Sequence, residues 1–199
     1  MDDSQRGFGI YKNIAIELLD KTIKILNQCS VTHLLISGTL LGYVRHNDFI
    51  PWDDDIDLLV DNSIIEKLPT IYEKYGNEIS IIYKEHSFIK FFFKNKIIEQ
   101  KEHEEYLLNK NDKYYWPFVD LFVYKNVNID KISFFGTNWL KSKFFPLKNV
   151  ELHNIKVNIP NDANYFLTAN YGKKYMTEFI IYPFSHKDEK NIADKKIKL

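Results

Sequence analysis

The tightest constraint on how this chain folds is the stretch Pro51-Trp52-Asp53-Asp54-Asp55-Ile56-Asp57, which runs straight into Leu58-Leu59-Val60. Four carboxylates lie within five residues. The run Ile56 to Val60 reads as a buried strand, and Asp57 lies inside it. Burying a carboxylate with no partner costs roughly several kcal/mol. Asp57 therefore calls for a cation or for donors nearby. In extended backbone the side chains alternate, so Asp53, Asp55 and Asp57 share one face and Asp54 points the other way. Like charges that close raise one another's pKa unless a cation neutralises them.

Three readings compete for this cluster. A solvated acidic turn is the plainest, but it does not account for Asp57. An EF-hand loop has the D-x-D-x-D spacing but fails elsewhere: loop position six, a glycine in that motif, is Leu58, and position twelve, a glutamate, is Ile64. The third is a metal-dependent phosphoryl-transfer site, in which paired carboxylates hold Mg²⁺ or Mn²⁺ against phosphate oxygens. Such a site needs a phosphate-binding turn. Ser37-Gly38-Thr39 supplies one, between an apolar run and a helix-compatible segment. Glycine lets a backbone approach closely, Thr39 offers a hydroxyl, and a helix N-terminus aims amides at an anion.

The rest of the chain reads as a mixed α/β or α+β arrangement. Apolar spacing predicts a helix over Tyr11 to Gln28, and Val31 to Ser37 reads as a strand. Asn62 to Tyr75 suits a helix disrupted at Pro69, with Gly76 at its end. Ile79 to Tyr83 and Phe88 to Lys94 read as a strand pair turning at Glu85-His86-Ser87. Lys96 to Asp112 reads as a charged surface segment. Tyr115 to Tyr124 reads as a strand with Pro117 near its start, and Val150 to Ile159 as a weaker strand. Asp162 to Tyr171 reads as a short helix stopped by Gly172. The aromatic groups Phe91-Phe92-Phe93 and Phe134-Phe135 read as core strands. Ser185 to Leu199 reads as a frayed polar tail.

Composition excludes several classes. The 199 residues carry 27 basic and 27 acidic side chains, so no broad positive surface is available for nucleic acid. One cysteine, Cys29, excludes a disulfide framework and a thiolate zinc cluster. No apolar run reaches the length of a membrane span. The opening Met1-Asp2-Asp3 lacks a cationic leader, which points to a cytoplasmic protein. Arg6 and Arg45 are the only arginines among the 27 basic residues. The lysine surplus fits an AT-rich genome, and it makes an arginine inside a motif informative.

Together, Ser37-Gly38-Thr39-Leu40-Leu41-Gly42-Tyr43-Val44-Arg45-His46 and Phe49-Ile50-Pro51-Trp52-Asp53-Asp54-Asp55-Ile56-Asp57 resemble the signature of the LicD/fukutin family. Many relatives have Gly where this chain has Ser37. Phe118-Val119-Asp120-Leu121-Phe122 is similar to the family's later strand with a third carboxylate. Phe145-Pro146-Leu147, Val157-Asn158-Ile159-Pro160 and Tyr171-Gly172-Lys173-Lys174-Tyr175-Met176 are similar to its C-terminal elements. Lys96 to Asp112 matches nothing in the pattern. The resemblance covers about Leu26 to Met176 and implies one domain over residues 1–199.

The resemblance implies a polymerase-β-like nucleotidyltransferase fold, a mixed central sheet flanked by helices. It implies a transferase that moves a phospho-alcohol or sugar phosphate, such as phosphocholine, from a CDP-linked donor to a hydroxyl of a glycan such as lipopolysaccharide. Asp55 and Asp57 would be paired ligands of Mg²⁺ or Mn²⁺. Asp120 would complete the site and accept the hydroxyl proton, and Asp53 would hold or orient a second ion. Gly38 and Thr39 would contact donor phosphates. Arg45 would neutralise phosphate charge or pair with Asp53. Asp54 would matter least. Trp52 is read as packing beneath the acidic turn, His46 as exposed, and Tyr171, Gly172 and Tyr175 as closing the fold. Two alternatives stay open: nucleotidyl transfer from a nucleoside triphosphate with release of pyrophosphate, and a catalytically silent nucleotide- or glycan-binding module.

Overall fold

The computed structural model describes residues 7–85 and 88–178, with the backbone of 180–181 and 197–198. Its first helix, α1 (Lys12–Gln28), buries Ala15, Leu18, Leu19, Thr22, Ile23, Ile25 and Leu26, a stripe at three- and four-residue spacing. β1 (His33–Leu35) follows and leads directly into α2 (Ser37–His46). β2 (Ile56–Asp61) has Ile56 to Val60 buried throughout, as expected of a strand covered on both faces. α3 (Ile64–Tyr75) buries Ile64, Leu68 and Ile71. It runs unbroken through Pro69, where a disruption was expected. Proline removes one backbone donor, and the apolar face on either side holds the helix against β3 (Ile79–Lys84).

β4 (Phe88–Phe93) pairs antiparallel with β3. The turn read at Glu85-His86-Ser87 falls on residues 86–87, outside the described ones. The segment read as a charged surface is only partly that. It contains β5 (Ile98–Gln100), paired with β6 (Tyr114–Trp116), and a single 3₁₀ turn at Glu104–Tyr106. Gln100 and Leu107 are buried. Asp112 accepts hydrogen bonds from the Tyr72 hydroxyl (2.8 Å) and Ser80 Oγ (2.7 Å) and pairs with Lys94 Nζ (2.7 Å). Most of the segment's charges are exposed, and Asp112 is the one that these contacts turn inward, toward β3 and the end of β4.

The strand expected over Tyr115 to Tyr124 is two strands, β6 and β7 (Phe118–Asn126), divided at Pro117, which has no N–H to continue a ladder. β7 continues into a meander with β8 (Lys131–Phe134) and β9 (Thr137–Leu140), followed by the short α4 (Lys141–Phe144). Phe134 is buried, but Phe135 stands 47% exposed at the turn rather than in a core strand. The weak strand at Val150 to Ile159 is a hairpin, β10 (Lys148–Leu152) and β11 (Ile155–Ile159). His153 and Asn154 both adopt positive φ at its tip. α5 (Ala163–Tyr171) starts on Asp162, whose side chain accepts the Tyr165 N–H, and stops at Gly172 with φ 84°. β12 (Ile180–Ile181) and β13 (Ile197–Lys198) pair with each other. Apart from residues 197–198, the expected polar tail lies outside the described residues.

The fold is mixed α+β. Its central sheet has the order β1-β2-β7-β4-β3, with β8 and β9 continuing from β7. β2 and β7 are parallel and the other pairs antiparallel. α1 packs on β4 and β7, α2 on β2, and the β10–β11 hairpin against β1. Among the described residues no helix is long and apolar enough to cross a membrane.

Candidate active site

The parallel pairing of β2 with β7 sets Asp57 directly opposite Asp120. The antiparallel pairing of β7 with β4 sets Asp120 opposite Lys90. Three charged residues thus form one row across three adjacent central strands, each among apolar neighbours. All three are buried, at 7%, 7% and 8% exposure. Asp55 lies two residues before Asp57 and reaches the same point. One carboxylate oxygen each from Asp55, Asp57 and Asp120 lie within 4.8 Å of one another.

The turn before α2 is built around Asp57. The Gly38 N–H donates to Asp57 Oδ2 (3.0 Å), and the Asp57 N–H donates to Thr39 Oγ1 (2.8 Å). The Ile36 N–H donates to the Asp57 carbonyl (3.2 Å). Thr39 is buried, so in this arrangement its hydroxyl locks the start of β2 to the helix. A Cβ at position 38 would come within 2.3 Å of Asp53 Oδ2 and 3.4 Å of Asp57 Oδ2. Glycine is what lets the Asp53 carboxylate close on this backbone; the Asp57 oxygen would be in ordinary contact. A Cβ at Gly42 would meet the Asp48 carbonyl at 2.6 Å and the Ile50 N at 2.9 Å, so the second motif glycine seats the loop that carries the acids. Ser37 has φ 45°, a left-handed conformation that favours glycine.

The electrostatics follow from this crowding. Burial first, and then the charges of Asp55, Asp53 and Asp120, push the Asp57 carboxyl well above the ordinary carboxylate range; the Gly38 N–H works the other way. Asp120 accepts a hydrogen bond from Lys90 Nζ at Oδ2 (2.9 Å). Its Oδ1 lies 2.7 Å from the same ammonium, yet is buried with no hydrogen bond of good geometry. Hard oxygens this close, on buried groups that repel one another, suit a small divalent cation. The residues present fit Mg²⁺ or Mn²⁺.

Beside the carboxylates stands a cationic and aromatic wall. Arg45 donates from Nη1 to the Tyr175 carbonyl (3.0 Å) and from Nε to His46 Nε2 (2.9 Å). Burial lowers the Arg45 pKa, with Tyr171 and then Asp53 pulling the other way, so the guanidinium feels the Asp53 charge. Trp52 is half-buried against this wall, 5.8 Å from the Arg45 guanidinium and edge-on to the His46 ring. Trp52 also packs against the core, and a second indole supports the acidic turn: Trp116 Nε1 donates to the Asp54 carbonyl (2.8 Å). Asp54 does leave the shared face, but inward, at 5% exposure. His46 is partly buried. Burial and Arg45 hold its pKa below the ordinary imidazole value, consistent with a neutral ring accepting the Arg45 proton.

Sequence reasoning missed Lys90. Its signal was the one that exposed Asp57: Phe88-Ile89-Lys90-Phe91-Phe92-Phe93 also places a single charge inside an apolar strand.

Residues 30–162 match the family model described as LicD/FKTN/FKRP, nucleotidyltransferase domain, and the chain belongs to that family. It is similar to the lipopolysaccharide cholinephosphotransferase LicD of Haemophilus influenzae, 29% identical over 65 residues, 33% of this chain and 24% of that protein. It is also similar to the protein RT0683 of Rickettsia typhi, 27% identical over 177 residues, 85% of this chain and 49% of that one. The chain thus spans at most about half the length of these curated relatives. Among solved structures it is similar to the lincomycin-bound lincosamide antibiotic adenylyltransferase LnuA, at 15% identity and a TM-score of 0.44, over 72% of this chain and 78% of that one.

Proposed function

We propose that this chain transfers a substituted phosphate, such as phosphocholine, from a CDP-linked alcohol to a hydroxyl of a glycan, with Mg²⁺ or Mn²⁺ bound. The observation that carries the reading is the meeting of Asp55, Asp57 and Asp120 oxygens within 4.8 Å, inside the family-matched residues. A divalent ion bound there supplies positive charge to the phosphate oxygens and to the departing nucleotide. Asp55, Asp57 and Asp120 hold it, with Asp53 beside them. The Gly38 turn fixes Asp57, and Arg45 supplies a cation toward the donor phosphates. The acceptor oxygen forms a bond to the distal phosphorus as the bond to the CMP phosphate breaks. The hydroxyl proton passes to Asp120, and CMP leaves. The H. influenzae relative, by its name a cholinephosphotransferase on lipopolysaccharide, supports phosphocholine as the group moved and a glycan as its acceptor.

The test is thermal unfolding with Mg²⁺ or Mn²⁺ and a panel of CDP-choline, CDP-ribitol, CDP-glycerol, CTP and ATP, followed by product analysis with the ligand that binds. A metal-dependent shift with one CDP-alcohol, and CMP release once a glycan acceptor is added, is the expected result. Pyrophosphate release from a triphosphate moves the protein to nucleotidyl transfer. Metal binding without turnover of any donor makes it a silent binding module.

A further inference from the structure

Lys90 does not fit the ordinary place of a lysine. Its side chain is buried in the middle of the sheet, its ammonium 3.6 Å from the centroid of the Phe118 ring and 5.7 Å from that of Phe88. The cation–π contact and the surrounding strand fix the ammonium in place. Strand register puts it on the flank of Asp120 opposite Asp57, in contact with both Asp120 oxygens. A buried ammonium is costly unless an anion repays it. Here it is bound to the carboxylate that the proposed chemistry also uses.

We infer that Lys90 is a built-in cation that holds Asp120 from the side away from Asp57 and offsets part of the site's charge, so that the chain without donor binds one divalent ion rather than two. The inference rests on the metal site proposed above. Asp53, Asp55, Asp57 and Asp120 bring four negative charges to the site, and Lys90 and Arg45 bring two positive. Two negative charges remain in these six side chains, which one divalent ion balances. A second ion against Asp120 meets a fixed ammonium in low dielectric, where like charges repel most. Lys90 is then a positioning residue: it orients Asp120 and sets the charge of the site before any substrate arrives. A second ion, if the reaction uses one, enters with the negatively charged diphosphate of the donor.

The experiment is a Mn²⁺ titration of the donor-free protein, reading free Mn²⁺ by electron paramagnetic resonance. The wild type should bind one ion per chain. Two ions of comparable affinity overturn the inference, with no variant needed. Lys90→Met should bind Mn²⁺ about tenfold or more tightly than the wild type, since a repelling charge is gone, while its turnover falls. A merely structural lysine would predict the opposite, a disordered site that binds Mn²⁺ more weakly, and unchanged or weaker binding in a folded Lys90→Met overturns the inference. Lys90→Arg keeps the charge and should keep one ion at close to wild-type affinity. If circular dichroism shows Lys90→Met unfolded, the wild-type and Lys90→Arg stoichiometries decide. One ion bound with no turnover of any CDP-alcohol defeats the proposed function and leaves this inference standing. No Mn²⁺ bound at all defeats both.

Discussion

Two carboxylate clusters sit close to one strand, and they are built on opposite plans. Near the end of β4, Asp112 is matched group for group: Lys94 pairs with it, and Tyr72 and Ser80 donate to it. Asn109 and Lys94 in turn donate to the Tyr72 hydroxyl. Burial works against the Lys94 ammonium, but its hydrogen bonds to Asp112 and Tyr72 outweigh that and hold its pKa above the ordinary lysine value. In the middle of β4, Lys90 faces Asp120, with Asp57 and Asp55 crowded behind it. Anions outnumber cations in that row, and Asp57 is pushed toward protonation. A satisfied carboxylate holds structure together. A crowded set leaves repulsion that the proposed divalent ion would relieve.

The comparison can be broken most directly by mutation. Asp57→Asn should cut turnover at least about a hundredfold, roughly 2.7 kcal/mol of transition-state stabilisation. In chelator it should melt no lower than the wild type, because it removes a buried like charge. A steep loss of melting temperature with activity retained would put Asp57 in the structural class with Asp112.

Metal should divide the two clusters next. Mn²⁺ at about a hundred times its dissociation constant should stabilise the wild type by roughly 2.7 kcal/mol, a shift of about 5–10 °C. Asp112→Ala should keep that shift and Asp57→Asn should lose it, as scanning calorimetry with and without metal would show. Asp112→Ala should itself cost roughly 2–3 kcal/mol, since it strands Lys94, Ser80 and Tyr72, with turnover changed by less than about twofold. If it abolished turnover in a folded protein, the two clusters would be one machine.

The smallest effect sharpens the contrast from the backbone side. Ser37 adopts φ 45° where the site's turn begins. Ser37→Gly should relieve that strain against a gain in unfolded-chain entropy, for a net stabilisation of less than about 1 kcal/mol by denaturant melts. A clear destabilisation would show that the Ser37 side chain contributes a contact of its own.

Much of the site was legible in the sequence because burial and charge are hard to reconcile. Asp57 inside Ile56 to Val60 could not be an ordinary surface acid, and alternation gave it Asp55 and Asp53 as companions. Gly38 was legible as a site of close approach to a phosphate, but not its packing against the Asp53 side chain, and the close approach at Gly42 was not read at all. α1 and β2 were readable because each has one strong periodicity. Lys90 escaped because lysine is everywhere in this chain, and one more drew no notice among the phenylalanines. Of the β8–β9–α4 stretch only the strand at Phe134 was legible, because Lys, Ser and Asn interrupt its apolar residues, and its core anchors, Ile132, Phe134, Trp139 and Phe144, come from three short elements. Asp112 was read as surface because its partners, Tyr72, Ser80 and Lys94, are distant in sequence. Pairings of that kind become visible only once the sheet order is known.

The parallel contact between β2 and β7 has a consequence for how the protein comes into being. Asp57 and Asp120 meet only after the chain from Asp61 to Phe118 has been closed into a loop that includes α3, β3 and β4. Closing so long a loop is entropically costly and slow compared with local helix formation. During synthesis, a nascent chain that has not yet delivered β7 can carry the whole acidic motif without the geometry that makes it useful. Tight capture of a divalent ion would therefore report the completion of folding, and a truncated product would sit in the cell as an acidic loop with nothing to hold.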